Sequence, residues 1–198
     1  MRSGKVIIIS GPSGSGKTTL YKRLLTERND LVKSISVTTR SKRLGEKHGK
    51  DYIFVNMKDF LAMKKKDHFL ESQKVFDNYY GTPYKNVRDL LLKGKNVLLC
   101  IDVKGAKVVE KKFKDAVKVF IKTSTWAILK KRLESRGSED PKTVKLRLET
   151  AKKELQEAKT YDFVVINHDL EKAYKDLHGI IDRLLLKDDQ CSCCGCKD

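Results

Sequence analysis

Residues Gly11–Leu20 read GPSGSGKTTL and directly follow the apolar run VIIIS. Placing three glycines and a lysine within seven residues, between β-branched residues and a leucine-rich segment, leaves few folds open. The stretch satisfies G-x-x-x-x-G-K-[ST], with Gly11 and Gly16 as the glycines, Lys17 as the lysine and Thr18 as the hydroxyl. Glycine permits turns closed to residues with a Cβ, so successive N–H groups can converge on an anion. A helix starting near Gly16 adds its unpaired N-terminal N–H groups and positive dipole end. Lysine can reach the outer phosphates and the hydroxyl can hold Mg²⁺. Val6 to Ile9 is apolar and β-branched, as a strand buried on both faces should be, and Leu20, Leu24 and Leu25 fall on one face of the following helix. The stretch reads as the phosphate loop of a nucleoside-triphosphate-binding protein.

The rest of the chain repeats strand, loop, helix, which predicts an α/β fold with a parallel core sheet. Buried strands are expected at Val6–Ser10, Asn96–Asp102, Ala116–Ile121 and Asp162–Ile166. Core helices are expected at Gly16–Thr26, Tyr84–Lys93, Gly105–Phe113 and Leu170–Leu186. From about Arg40 to Pro83 the pattern changes: DYIFVN and HFLESQKVF flank a short helical KDFLAMKK, as in an inserted, more β-rich region. Thr125 to Arg136 reads as a helix stopped by Gly137, and Asp140-Pro141 as cap and first-turn proline of a long helix to about Tyr161. Arg132 and Arg136 lie four apart and share a face, and Arg147 falls on the next helix. Such a hairpin suits a lid closing over phosphates, and equally a solvated basic face.

At 198 residues the chain is expected to form one compact unit. No apolar run approaches the ~20 residues of a membrane span. The first strand begins where a secretory signal would need its apolar region, so a cytoplasmic protein without membrane partners is expected. The net charge is +17, from 43 basic and 26 acidic residues. The lysines are scattered among acids, as in KVVEKKFKDAVK, and no nucleic-acid motif accompanies them, so nucleic acid is not expected as a partner. A positive field also steers polyphosphates. The last residues, CSCCGCKD, place Cys191, Cys193, Cys194 and Cys196 too tightly for paired C-x₂-C zinc ligands. Soft-metal binding, acylation and redox pairing are open to such a cluster, and a mobile tail is expected for 187–198.

The middle of the chain distinguishes among phosphate-loop proteins. SISVTTRSKRLGEKHGKDY sets Arg40 and Arg43 three apart with Tyr52 downstream. Two guanidinium groups and a phenol suit a monophosphate, whose oxygens arginine chelates in pairs. FLES and NYYGTPY follow, then IDVKGA, LKKRLESRG and VVIN. With the phosphate loop in front, this ordered set closely resembles the guanylate kinase family from about Lys5 to Leu186.

The resemblance implies a three-layer α/β/α phosphate-loop kinase: a core (1–36, 84–124, 152–186), a β-rich GMP-binding insertion (37–83) and a helical lid (125–151). It implies that ATP sits on Gly11, Pro12, Ser13, Gly14, Ser15, Gly16, Lys17, Thr18 and Thr19, with Asn167 near the adenine. Ser36, Glu71, Thr82 and Asp102 would surround the guanine, and Arg40, Arg43, Tyr52 and Tyr80 would hold the GMP phosphate. Arg132, Arg136 and Arg147 would close on the transferring group beside Lys17, and Thr18 would be the protein's ligand to Mg²⁺. The implied activity is Mg²⁺-dependent phosphoryl transfer from ATP to GMP or dGMP by a monomer. A catalytically silent, protein-binding relative and a kinase with another acceptor are the alternatives. The family commonly carries an acid where Cys100 stands, two residues before Asp102, so metal is expected to rely on phosphates, Thr18 and water here.

Overall fold

Ile7, Ile8 and Ile9 are wholly buried in the first strand, β1 (Val6–Ser10). The computed structural model describes residues 3–75, 77–135 and 141–190. After β1 come α1 (Lys17–Glu27), β2 (Leu31–Lys33), β3 (Val37–Thr38), β4 (Ile53–Phe54), α2 (Met57–Lys65), β5 (Phe69–Val75) and β6 (Asn78–Pro83). Then follow α3 (Tyr84–Leu92), β7 (Asn96–Cys100), α4 (Val103–Lys112), β8 (Val117–Lys122), α5 (Trp126–Glu134), α6 (Pro141–Gln156), a 3₁₀ turn (Glu157–Thr160), β9 (Phe163–Ile166) and α7 (Leu170–Gln190). The fold is α/β with parallel core strands. The chain divides into two compact units, one of Met1–Ser10 with Leu25–Lys118, the other of Gly11–Leu24 with Val119–Asp198.

In the first unit, β7 lies between β1 and β2, parallel to both, with Val6 opposite Val97 and Leu31 opposite Asn96. Buried on both faces, β1 and β7 are near-continuous runs of Val, Ile and Leu rather than alternating ones. The same unit carries a second sheet in the order β4-β3-β6-β5, where β3 is parallel to β4 and antiparallel to β6. Its own small core is Val37, Phe60 and Phe69, with the Phe60 and Phe69 rings stacked 4.7 Å apart. Phe60 comes from α2, which starts where Asn56 accepts the Asp59 N–H at 2.8 Å.

In the second unit, β8 and β9 pair in parallel, Val119 opposite Phe163. Leu129 and Leu133 of α5 and Ala151 of α6 form a buried cluster with Trp126, Leu148 and Leu155 around it. Arg23 of α1 pairs with Glu171 at 2.6 Å and lies 3.9 Å over the Tyr174 ring, joining α1 to α7 by an ion pair and a cation–π contact. No helix among the described residues is long and apolar enough to cross a membrane.

Several elements differ from the sequence expectation, among them the long helix expected to reach about Tyr161, which ends at Gln156 and gives way to the 3₁₀ turn. The strand expected to reach Asp102 closes at Cys100, because Asp102 caps α4: its Oδ1 accepts the Gly105 N–H at 2.7 Å, and the helix starts at Val103 rather than Gly105. DYIFVN contributes only Ile53–Phe54 as strand. Asn78–Pro83 of NYYGTPY, expected only as a motif, forms β6, and Tyr84 opens α3. The expected stop at Gly137, the Asp140 cap and the cysteine tail lie outside the described residues.

Candidate functional site

The second unit holds the phosphate loop. Gly11 has φ +143°, and a Cβ there would sit 2.0 Å from the Ile121 carbonyl oxygen. At Gly16 φ is +89°, and a Cβ would meet the Asn167 amide nitrogen at 2.1 Å. The same amide Nδ2 donates to the Ser15 carbonyl at 2.8 Å and is buried. Asn167 thus braces the loop backbone from the end of β9. Lys17 opens α1, and its Nζ donates to the Pro12 carbonyl at 2.8 Å, so the ammonium curls back over the loop. Pro12 and Ser15 are buried and Ser13 and Gly14 half-buried, while Thr18 and Thr19 are exposed on the first helical turn. That turn leaves N–H groups without intrahelical acceptors.

The first unit holds a buried carboxylate cluster. Register places Glu71 of β5 opposite Thr82 of β6, and the Thr82 hydroxyl donates to Glu71 Oε1 at 2.6 Å. Both residues are buried. Burial, and secondarily the neighbouring Asp102, push the Glu71 carboxyl up to about 7, against the stabilising Thr82 hydrogen bond. Asp102 is half-buried as the α4 cap, and Ser36 is half-buried just before β3.

The same unit carries the arginine and tyrosine group. Arg40 lies 5.5 Å over the Tyr52 ring, and Tyr52 meets Tyr80 edge to face at 6.0 Å. Burial pushes the Tyr52 phenol up to about 12, so it stays a donor at neutral pH. Arg43 is exposed on the following loop. In the second unit, Arg132 on α5 and Arg147 on α6 are half-buried, and Arg136 lies outside the described residues.

The sequence model of the guanylate kinase family matches residues 3–184. The chain belongs to the guanylate kinase family. It is 42% identical over 178 residues to the guanylate kinase of Rickettsia prowazekii, covering 90% of each chain. Identity to the guanylate kinase of Nitratidesulfovibrio vulgaris is 45%, covering 90% of this chain and 86% of that one. The crystal structure of guanylate kinase from Anaplasma phagocytophilum superposes with a TM-score of 0.76 at 33% identity, covering 92% of this chain and 87% of that one. By family, the chain is a nucleoside monophosphate kinase.

Two roles in this guanylate kinase family member are visible only in its structure, although Asn167 is already an expected site residue from the sequence. One is Glu46, whose carboxylate accepts Arg40 Nη2 at 2.8 and 3.0 Å and the Arg43 backbone N–H at 2.8 Å. Arg40 holds the Glu46 carboxyl below the ordinary carboxylate range. A lone acid in a basic loop gives no sequence signal beyond its place three residues after Arg43. The other is Asn167 as loop brace, a contact between residues 152 positions apart.

Proposed function

We propose that this chain transfers the γ-phosphoryl group of ATP to GMP, giving ADP and GDP. The observation that carries the acceptor is the buried Glu71 with Thr82. Guanine presents two donors on one edge, N1–H and the 2-amino group, and a fixed carboxylate accepts both. Adenine offers no such pair and would leave the carboxylate desolvated and unsatisfied.

The phosphate loop, with Lys17 and Asn167, holds the donor. Arg40, Arg43, Tyr52 and Tyr80 take the acceptor phosphate, and Ser36 and Asp102 complete the base contacts. Arg132, Arg136 and Arg147 neutralise the transferring group. The division into core, GMP-binding region 37–83 and lid 125–151 belongs to the same proposal. An oxygen of the GMP phosphate attacks the γ-phosphorus, and the bond to the β–γ bridging oxygen breaks. A phosphate monoester loses its second proton near pH ~6, so the acceptor is already anionic and no general base is required. The protein's task is to cancel repulsion between two polyanions and align them. Exposed Thr18 offers a hard oxygen beside the loop, and one hydroxyl with phosphate oxygens and waters is a donor set that fits Mg²⁺. When bound, the metal would neutralise charge between the β and γ oxygens.

The test is ADP production with GMP, AMP, CMP and UMP in parallel. GMP should be preferred over AMP by about 10³-fold or more in kcat/KM. Comparable turnover of AMP would overturn the acceptor assignment, and no turnover of any would favour a silent binding domain.

Glu46 supplies a second expectation. In Glu46→Ala, Arg40 loses the partner that orients it beside Tyr52, and Arg43 loses its backbone anchor. The KM for GMP should rise about tenfold, the size of one charge-assisted hydrogen bond, with the KM for ATP unchanged. Initial-rate kinetics varying each nucleotide separately checks this, and equal loss for both nucleotides would assign Glu46 a general structural role.

A further inference from the structure

Gly105 lies in the first turn of α4, yet its φ is not positive and no turn demands a glycine there. Helix propensity argues for almost any other residue at such a position. What occupies the space is specific. A Cβ on Gly105 would stand 2.8 Å from Glu71 Oε2, 3.2 Å from the Glu71 carboxyl carbon and 3.2 Å from Asp102 Oδ1. Gly105 is itself buried, and its N–H is the one that Asp102 accepts in capping the helix.

We infer that Gly105 is a specificity-determining positioning residue: its missing side chain is the seat of the Glu71 carboxylate, and thereby sets where the acceptor base is read. The inference rests on the proposal that Glu71 reads guanine. A methyl group at 105 would leave the Glu71 main chain and the Thr82 hydrogen bond pulling one way and the new contact pushing the other. The carboxylate is the far end of a flexible side chain, so it yields before the backbone does. The consequence is a folded protein whose carboxylate is displaced by a fraction of an ångström to an ångström, a distance over which a hydrogen bond to a fixed donor is lost. A glycine serving only chain flexibility would show the reverse pattern: altered stability with base selection intact.

The experiment compares wild type, Gly105→Ala, Glu71→Ala and the double variant Glu71→Ala/Gly105→Ala. Each is measured for the KM of GMP, the KM of ATP, the GMP-to-AMP ratio of kcat/KM and the thermal midpoint. Gly105→Ala should raise the KM for GMP tenfold or more and lower the GMP-to-AMP ratio. Its KM for ATP should stay within twofold, and its midpoint should be equal to or above that of wild type. In the Glu71→Ala background, where the Glu71 carboxylate is gone and only the looser Asp102 Oδ1 contact at 3.2 Å remains, the same substitution should change the KM for GMP less than twofold. A Gly105→Ala protein with wild-type GMP kinetics would overturn the inference, as would an equal effect with and without Glu71. If Gly105→Ala does not fold while the double variant does, the clash with Glu71 is the cause and the inference stands. If neither folds, Gly105 serves the helix itself and the inference falls. A wild type that accepts AMP as readily as GMP overturns the acceptor proposal and this inference with it. An unaffected Gly105→Ala in a GMP-selective wild type overturns the inference alone.

Discussion

Lys17→Ala should lower turnover by about 10³-fold or more, the range seen when a single cation is withdrawn from a transferring phosphoryl group. The Lys17 ammonium rests on the Pro12 carbonyl at 2.8 Å, inside the curl of the loop that is proposed to hold the β- and γ-phosphates. Neutral N–H groups of the loop and of the first turn of α1 orient those oxygens, but a full positive charge is what compensates negative charge moving toward the β–γ bridge. Alanine is the better helix former, and Lys17 is only half-buried, so the fold should survive with its thermal midpoint within a few degrees of wild type. Lys17→Arg separates charge from shape. The charge is retained, but a planar fork cannot follow the compact path to the Pro12 carbonyl, so activity should remain low. Stopped-time assays of ADP formation at saturating ATP and GMP, with circular dichroism as the fold control, decide it. Near-normal turnover in Lys17→Ala would mean that the loop binds a nucleotide without using this lysine for chemistry.

How much of this was legible in the sequence depends on how local each feature is. β1 has the expected bounds, Val6–Ser10, because five consecutive residues buried on both faces announce themselves without reference to partners. The helix after the loop starts at Lys17, one residue from expectation, since the glycines fix where it can begin. In contrast, Leu31–Lys33, Val37–Thr38 and Asn78–Pro83 are strands by virtue of their neighbours. Two or three residues carry no readable period, and Gly81, Thr82 and Pro83 argue locally for a turn. Their pairing, β2 with β7, β3 with β4 and β6, and β6 with β5, is what makes them strands, and register of that kind is not written in one segment. Asp102 carries a local signal that the strand pattern before it masks. An Asp directly before a helical run is a cap signal, but the apolar residues leading to it carried the strand expectation two positions too far. For the candidate site, residue type conveyed Lys17 and Arg40 as candidates, because phosphate demands cationic donors, whereas Glu71 and Asn167 entered through the family resemblance carried by FLES and VVIN. Glu46, Asn167 and Gly105 have no such chemistry of their own. They matter through what they touch, and those contacts exist only in the folded chain.

Glu71→Gln should change which base is accepted, beyond weakening the acceptance of guanine. Thr82 donates to Oε1, an interaction that an amide oxygen can keep. The amide nitrogen then replaces Oε2 and presents N–H groups where guanine offers its own N1–H and 2-amino donors. Donor against donor in a buried site forfeits the pairing and leaves groups unsatisfied, so kcat/KM for GMP should fall about 10²- to 10³-fold. Adenine carries an acceptor at N1 beside its 6-amino donor, which matches an amide, so AMP turnover should rise relative to GMP. The pH dependence gives an independent reading. With its carboxyl pushed up to about 7 by burial and by Asp102, Glu71 is largely protonated at pH 6 in the free protein, and guanine needs it ionised. Binding GMP must therefore expel a proton. The wild-type KM for GMP should rise as pH falls below about 7, approaching tenfold per unit. GMP's own phosphate also titrates, but equally in wild type and variant, so the difference between the two profiles isolates Glu71. Stability runs in the opposite sense. A carboxyl whose folded value is raised stabilises fully only below its unfolded value, and that contribution is lost as pH rises through about 7. Relative to wild type, Glu71→Gln should thus gain in thermal midpoint between pH 5 and pH 8, by the equivalent of up to about 3 kcal/mol. A variant with the wild-type pH profile for GMP, or one that still rejects AMP as strongly, would remove Glu71 from base recognition.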